Sequence, residues 1–140
     1  MPNGLHYHYE VSGEDFTQAG HASSDIKAKL KLMGVDSKII RRTAVAMYEG
    51  EINLFIHAGG GEIDVDITAD KITVVLSDHG PGIADVDKAM QAGYSTATKK
   101  VREMGFGAGM GLPNMKENTD LMEIDTEVGV GTTVHLEINI

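Results

Sequence analysis

Residues 61–83 read GEIDVDITADKITVVLSDHGPGI. Ile63, Val65 and Ile67 alternate with Glu62, Asp64 and Asp66, a period of two that gives a strand with one apolar and one charged face. Ala69-Asp70 makes a turn, and Ile72 to Leu76 is a short apolar run that reads as a more buried strand. The two runs form a hairpin. Directly after it, Ser77-Asp78-His79-Gly80-Pro81-Gly82-Ile83 places a carboxylate at a strand end, followed by two glycines that let a flat group approach the backbone. An ionised Asp78 can accept from an exocyclic amine, a bond worth about 1.5–3 kcal/mol. Taken alone, the same residues also suit an ordinary Asp-Gly turn.

Upstream of the hairpin, Leu5, Tyr7, Tyr9 and Val11 alternate with His6, His8 and Glu10 as another strand. Ser12 to Asp15 reads as a turn and helix start with acidic residues in the first turn. Phe16, Ala19, Ser23, Ile26, Leu30 and Met33 follow at steps of three and four, one stripe of an amphipathic helix closed by Gly34. Asp36 or Ser37 caps a second helix over roughly 38–58, with Ile39, Ile40, Ala44, Met47, Leu54 and Ala58 as its apolar positions. Gly50 interrupts that helix at a cost of about 1 kcal/mol relative to Ala, and Gly59-Gly60-Gly61 ends it.

Downstream of Asp78 the chain is glycine-rich and irregular to about residue 111. A third helix is expected over 108–120, then a strand through Ile124, Thr126 and Val128 and a turn at Gly129-Val130-Gly131. Val134, Leu136, Ile138 and Ile140 alternate with polar residues as the last strand. The order has no regular βαβ alternation. It predicts an α+β two-layer sandwich, a mixed but mostly antiparallel sheet covered on one face by helices.

A length of 140 residues argues for one domain over 1–140, since a second would leave each too small for a good core. Twelve Lys+Arg against 21 Asp+Glu give a net charge of −9, which argues against a direct nucleic-acid partner. The absence of Cys excludes disulfide frameworks, zinc–thiolate sites and Cys nucleophiles. No apolar run approaches 18 residues, and the N-terminus lacks a basic start followed by an apolar segment. The expectation is a cytoplasmic protein with no membrane partner. The 17 glycines exceed the roughly ten of average usage, and they are clustered.

The densest cluster is Gly105-Phe106-Gly107-Ala108-Gly109-Met110-Gly111-Leu112, which opens the third helix. Stacked glycines before a helix expose backbone N–H groups where the helix dipole is positive, a cradle for phosphate. A flexible loop is the other reading. There is no Gly-Lys dipeptide, so a Walker A loop is excluded. The dinucleotide fingerprint fails because Thr98 to Glu103 is polar where an apolar strand is needed. Glu49, Asn53 and His57 are spaced i, i+4, i+8 on the second helix. Glu49 is a candidate general base, and Asn53 offers a neutral oxygen to Mg²⁺; a solvated helix face has the same pattern. Lys99, Lys100 and Arg102 either touch phosphates or face solvent. His6 and His8 share one strand face, where a metal is an option, and the methionines read as core filler.

In this order the segments resemble the GHKL, or Bergerat-fold, ATPase superfamily. Glu49-xxx-Asn53-xxx-His57-Ala58 looks like its N box, and Asp78-x-Gly80-x-Gly82-Ile83 looks like its G1 box. The cluster 105–111 looks like the G2 box, and Gly129-x-Gly131-Thr132-Thr133 like the closing G-x-G-T motif. The likeness spans about residues 36–140. The short chain is similar to the small anti-sigma factors and switch-protein serine kinases of that superfamily. Ala58-Gly59-Gly60-Gly61, Gly93-Tyr94-Ser95-Thr96 and the run 107–113 look most like the stressosome switch kinases.

The resemblance implies ATP or ADP as the nucleotide and Mg²⁺ as its metal. By that likeness Asp78 accepts from the adenine amine, Gly80, Gly82 and Ile83 border the base, and Thr132 binds a water near it. Asn53 ligates the Mg²⁺ that bridges the phosphates, and His57 belongs to the same box. Residues 93–107, which include Gly93 and Gly105, form the ATP lid, which 97–104 lengthen relative to the switch kinases. The amides of Gly107, Ala108, Gly109, Met110 and Gly111, with Leu112 following, hold the phosphates. Glu49 orients or deprotonates a Ser/Thr hydroxyl on a partner, with Glu51 as its rival and Gly50 between them able to bend the helix. The implied partner is a small STAS-type regulatory protein. The alternative is a nucleotide-gated module that grips a sigma factor or another enzyme without phosphotransfer. A homodimer is among the states of resembling proteins.

Overall fold

A computed structural model describes residues 4–14, 19–83, 85–86, 90 and 111–140. Among these the elements in chain order are β1 (Leu5–Ser12), α1 (His21–Leu32), α2 (Ser37–His57), β2 (Gly60–Ile67), β3 (Lys71–Ser77), α3 (Gly111–Glu117), β4 (Leu121–Glu127) and β5 (Gly131–Asn139). The strands form one sheet in the order β1-β2-β3-β5-β4. Each neighbouring pair is antiparallel, so the described sheet contains no parallel pair.

The β2–β3 hairpin pairs Ile63 with Leu76, Val65 with Val74 and Ile67 with Ile72. β5 continues the apolar rows, setting Val134, Leu136 and Ile138 opposite Leu76, Val74 and Ile72. These side chains are all buried, and all but Ile138 form one cluster with Ile26 and Leu30 of α1, Ala46, Met47 and Leu54 of α2, and Met115 of α3. The helices therefore cover one face of the sheet, as the alternating pattern requires. The run 72–76 is covered on that side only: Thr73 and Val75 point the other way and are half-buried.

α1 starts later than the Ser12–Asp15 expected from its acidic residues. Its N-cap is Gly20, held at φ 89° in the left-handed region, and the helix begins at His21. Ala19 lies in the preceding turn, and Phe16 falls outside the described residues. The C-terminal glycine is as expected: Gly34 takes φ 75°, and the Val35 N–H reaches back to the Leu30 carbonyl at 3.2 Å. Asp36 caps α2 by accepting from the Lys38 N–H at 3.3 Å.

α2 runs unbroken through Gly50, which corrects the expected interruption. A Cβ at Gly50 would sit 2.5 Å from Leu76 Cδ2 and 3.1 Å from Met115 Cε. The missing side chain lets α2 lie close against β3 and α3. α3 ends at Glu117, short of residue 120, because local side chains take its last carbonyls. Asn118 Nδ2 donates to the Asn114 carbonyl at 2.8 Å, and Thr119 Oγ1 to the Met115 carbonyl at 2.9 Å. Val128 lies in the exposed β4–β5 turn and not in a strand. No described helix is long and apolar enough to cross a membrane.

Candidate functional site

Asp78 follows the last residue of β3. Its N–H donates to the Thr132 carbonyl at 2.9 Å. Its Oδ1 accepts from the Gly80 N–H at 2.8 Å and from the Thr132 N–H at 3.2 Å. Oδ2 has no partner among the described residues. One carboxylate oxygen is thus fixed by backbone, and the other is offered to a donor.

The loop 78–83 is stapled further to the β4–β5 hairpin. The Ile83 N–H donates to Thr126 Oγ1 at 2.8 Å, and that hydroxyl pairs with Thr132 Oγ1 at 2.8 Å. The Gly129 N–H donates to the Pro81 carbonyl at 2.9 Å. The glycines here make room for protein as well as for any ligand. A Cβ at Gly80 would meet Ala58 Cα at 2.8 Å, one at Gly82 the Glu127 carbonyl at 2.5 Å, and one at Gly131 the Asp78 carbonyl at 2.2 Å. The close approach read from Gly80 and Gly82 is therefore at least partly an approach of the loop to α2 and β4.

Glu49 and Asn53 lie one turn apart on the length of α2 that packs against α3. Glu49 is half-buried, and burial holds its carboxyl above the usual carboxylate range, while a hydrogen bond with Asn114 of α3 works in the opposite direction. The Asn53 amide lies against the start of α3: a Cβ at Gly111 would be 3.0 Å from both its Nδ2 and its Oδ1. Nδ2 makes a weak 4.0 Å contact with Met115 Sδ, and Oδ1 has no partner among the described residues. A lone neutral oxygen fits Mg²⁺, which keeps most of its waters and leans on phosphate. Leu112 packs against the core. The side chain of His57, and all of Gly93, Gly105, Gly107, Ala108, Gly109 and Met110, lie outside the described residues, as do Lys99, Lys100 and Arg102.

Glu51 is not a rival base. It is only 2% exposed, and its carboxylate accepts the N–H groups of Gly20 at 3.1 Å, Ala22 at 3.0 Å and Ser23 at 3.0 Å. Gly20 has no side chain with which to cap α1, and Glu51 supplies the missing acceptor from the neighbouring helix. The helical period carried a usable signal. Residues two apart are about 200° apart around the axis, so Glu49 and Glu51 cannot both face Asn53's side of α2.

The layered α+β arrangement is similar to the fold of a sensor histidine kinase. The mycobacterial sensor histidine kinase MprB matches over 96% of this chain and 97% of its own, with a TM-score of 0.55 and 15% identity, a likeness of fold. The chain belongs to the histidine kinase-, DNA gyrase B- and HSP90-like ATPase family, whose profile matches residues 52–140. Among relatives, the serine/threonine-protein kinase RsbT of Bacillus subtilis (strain 168) is 32% identical over 97 residues, covering 66% of this chain and 67% of its own length. An anti-sigma F factor of Caldanaerobacter subterraneus subsp. tengcongensis is 36% identical over 100 residues, covering 68% and 65%. An anti-sigma F factor of Geobacillus thermodenitrificans is 27% identical over 146 residues, covering 100% of this chain and 94% of its own. The chain thus spans about two thirds of the length of the first two.

Proposed function

We propose that the chain is a Mg-ATP-dependent serine/threonine kinase of the anti-sigma or switch type, acting on a small STAS-like regulatory partner. The observation that carries this reading is the division between two acidic residues of α2. Glu51 is consumed as a helix cap, and Glu49 is left half-buried beside Asn53 and α3. The 32% identity to a serine/threonine kinase supports it.

In this reading the free oxygen of Asp78 takes the adenine amine. Gly80, Gly82 and Ile83 border the base, and Thr132 holds a water beside it. Asn53 Oδ1 holds Mg²⁺, which supplies positive charge to the triphosphate. The amides of 107–111 take the phosphates, and 93–107 serve as the lid. Glu49 accepts the proton of the partner's hydroxyl as its oxygen bonds to the γ-phosphorus and ADP leaves. Burial raises its proton affinity, the direction that favours a general base. Catalysis is then positioning plus charge neutralisation.

The anti-sigma names among the relatives favour a second reading, a nucleotide-gated module that grips a sigma factor without transfer. Titration of ATP and ADP, with and without Mg²⁺, followed by γ-labelled ATP in the presence of partner proteins, separates the two. The kinase reading expects label on a Ser or Thr of the partner, lost in Glu49→Gln. Label that stays on the nucleotide in a formed complex with the partner overturns it and leaves the binding module.

A further inference from the structure

The open face of the sheet carries a charged ladder that the nucleotide reading does not use. Across β1 and β2, His6 faces Asp66, His8 faces Asp64 and Glu10 faces Glu62. His8 Nδ1 lies 2.7 Å from Asp64 Oδ1, which leaves its Nε2 for another partner. Ligand atoms of His8, Glu10 and Glu62 all lie within 4.8 Å of one another. Glu10 and Glu62 are like charges at directly opposed positions, an arrangement that destabilises a strand pair unless a cation sits between them.

We propose that His8, Glu10 and Glu62 bind one divalent transition-metal ion of the zinc type, with Asp64 orienting the His8 ring. A carboxylate on the far nitrogen fixes the tautomer and aim of a metal-bound imidazole. Two carboxylates with a neutral imidazole carry two negative charges, which the ion balances. One nitrogen and two oxygens suit zinc and its neighbours better than Mg²⁺, and an exposed face leaves the remaining positions to water. Rotation of exposed side chains brings the three groups to the roughly 2.0–2.2 Å at which such ligands bind. His6 is not a ligand: its Nδ1 lies 2.7 Å from Asp66 and its Nε2 3.2 Å from Asp64. The ion would clamp the edge strand β1 to β2.

The test is calorimetric titration of the full, nucleotide-free chain with zinc chloride in excess Mg²⁺. The expected result is one zinc per chain, with affinity weakened at least about tenfold in His8→Gln and Glu62→Gln, and about 10–100-fold in Asp64→Asn. His6→Gln keeps wild-type affinity. All four positions are on the outer sheet face, and circular dichroism checks that each variant folds. Long-range ¹H–¹⁵N spectra should show Nε2 of His8 shifting on zinc addition. No saturable binding, full affinity in His8→Gln, or an equal loss in His6→Gln overturns the proposal, and none of these bears on the nucleotide site.

Discussion

The Ser23 N–H of α1 donates to Glu51 Oε1 of α2 at 3.0 Å, and Oε2 of the same carboxylate takes the N–H groups of Gly20 and Ala22. One buried side chain thus satisfies the start of a helix whose own N-cap is a glycine. Replacing one of those oxygens by an NH₂ group turns an acceptor into a donor facing donors. Glu51→Gln is expected to lower stability by about 1–3 kcal/mol. Urea unfolding measures it, and a change within about 0.5 kcal/mol would remove the capping role. Phosphotransfer by the folded fraction should survive.

Glu49 gives the opposite pattern. Glu49→Gln should fold as wild type and lose about 10²–10⁴-fold in phosphotransfer, the usual worth of a general base. Because burial raises its carboxyl, the acid limb of the rate profile should lie above the ordinary carboxylate range. Asn114 acts to lower it, so Asn114→Ala should move that limb to still higher pH. A limb that stays put in Asn114→Ala would separate Glu49 from the rate.

Asp78→Asn is a near-isosteric probe of the strand-end carboxylate. Oδ1 can go on accepting from Gly80 and Thr132, so stability should change by less than about 1 kcal/mol. The other position becomes an NH₂ group and can no longer accept. ATP affinity should fall by about 10–100-fold, the worth of one charged hydrogen bond. Unchanged affinity by calorimetry would place the base elsewhere.

Much of this was legible in the sequence. Alternation in 62–67 and 133–139 defined a one-sided sheet, and the structure buries the apolar members of both runs. Glu49, Asn53 and Asp78 stood out by spacing and by their place at an element end. Three features were not legible, for one reason: each is a contact between segments distant in sequence. Gly50 looked like a helix breaker because local propensity cannot see Leu76 and Met115 closing on it. Glu51 looked like a rival base because its partners lie 28–31 residues upstream. The start of α1 was read too early because Glu14 and Asp15 suggested its first turn, whereas the helix begins after Gly20, and the acceptor that caps it comes from Glu51, 31 residues away. The role of Gly80 was similarly incomplete until Ala58 was beside it.

The imidazoles of the β1 ladder predict a pH trend in metal-free buffer. The hydrogen bond to Asp66 raises His6 above 6.5, and that to Asp64 raises His8 likewise. A raised value means the folded state holds the proton more tightly than the unfolded chain. The stabilisation is therefore complete below 6.5 and is lost as pH climbs through the raised values. Unfolding midpoints in EDTA should drop across that window, and the drop should shrink in the His6→Gln/His8→Gln double variant. An identical drop in the double variant would assign the trend to other groups.

Gly129 and Gly131 frame the β4–β5 turn and separate backbone strain from crowding. Both have positive φ, 83° and 149°. A Cβ at Gly129 meets nothing within 4 Å, so Gly129→Ala should cost only the roughly 1–2 kcal/mol of a left-handed L-residue. At Gly131 the same atom would lie 2.2 Å from the Asp78 carbonyl oxygen, backbone that cannot rotate away. Gly131→Ala must push the hairpin off the loop, breaking the Asp78–Thr132 pairing in both directions. It should therefore cost more stability than Gly129→Ala and lower ATP affinity as well, whereas Gly129→Ala leaves affinity unchanged. Paired unfolding and calorimetry of the two variants test this. Equal affinities in both would mean that the grip of Thr132 on Asp78 does not shape the site.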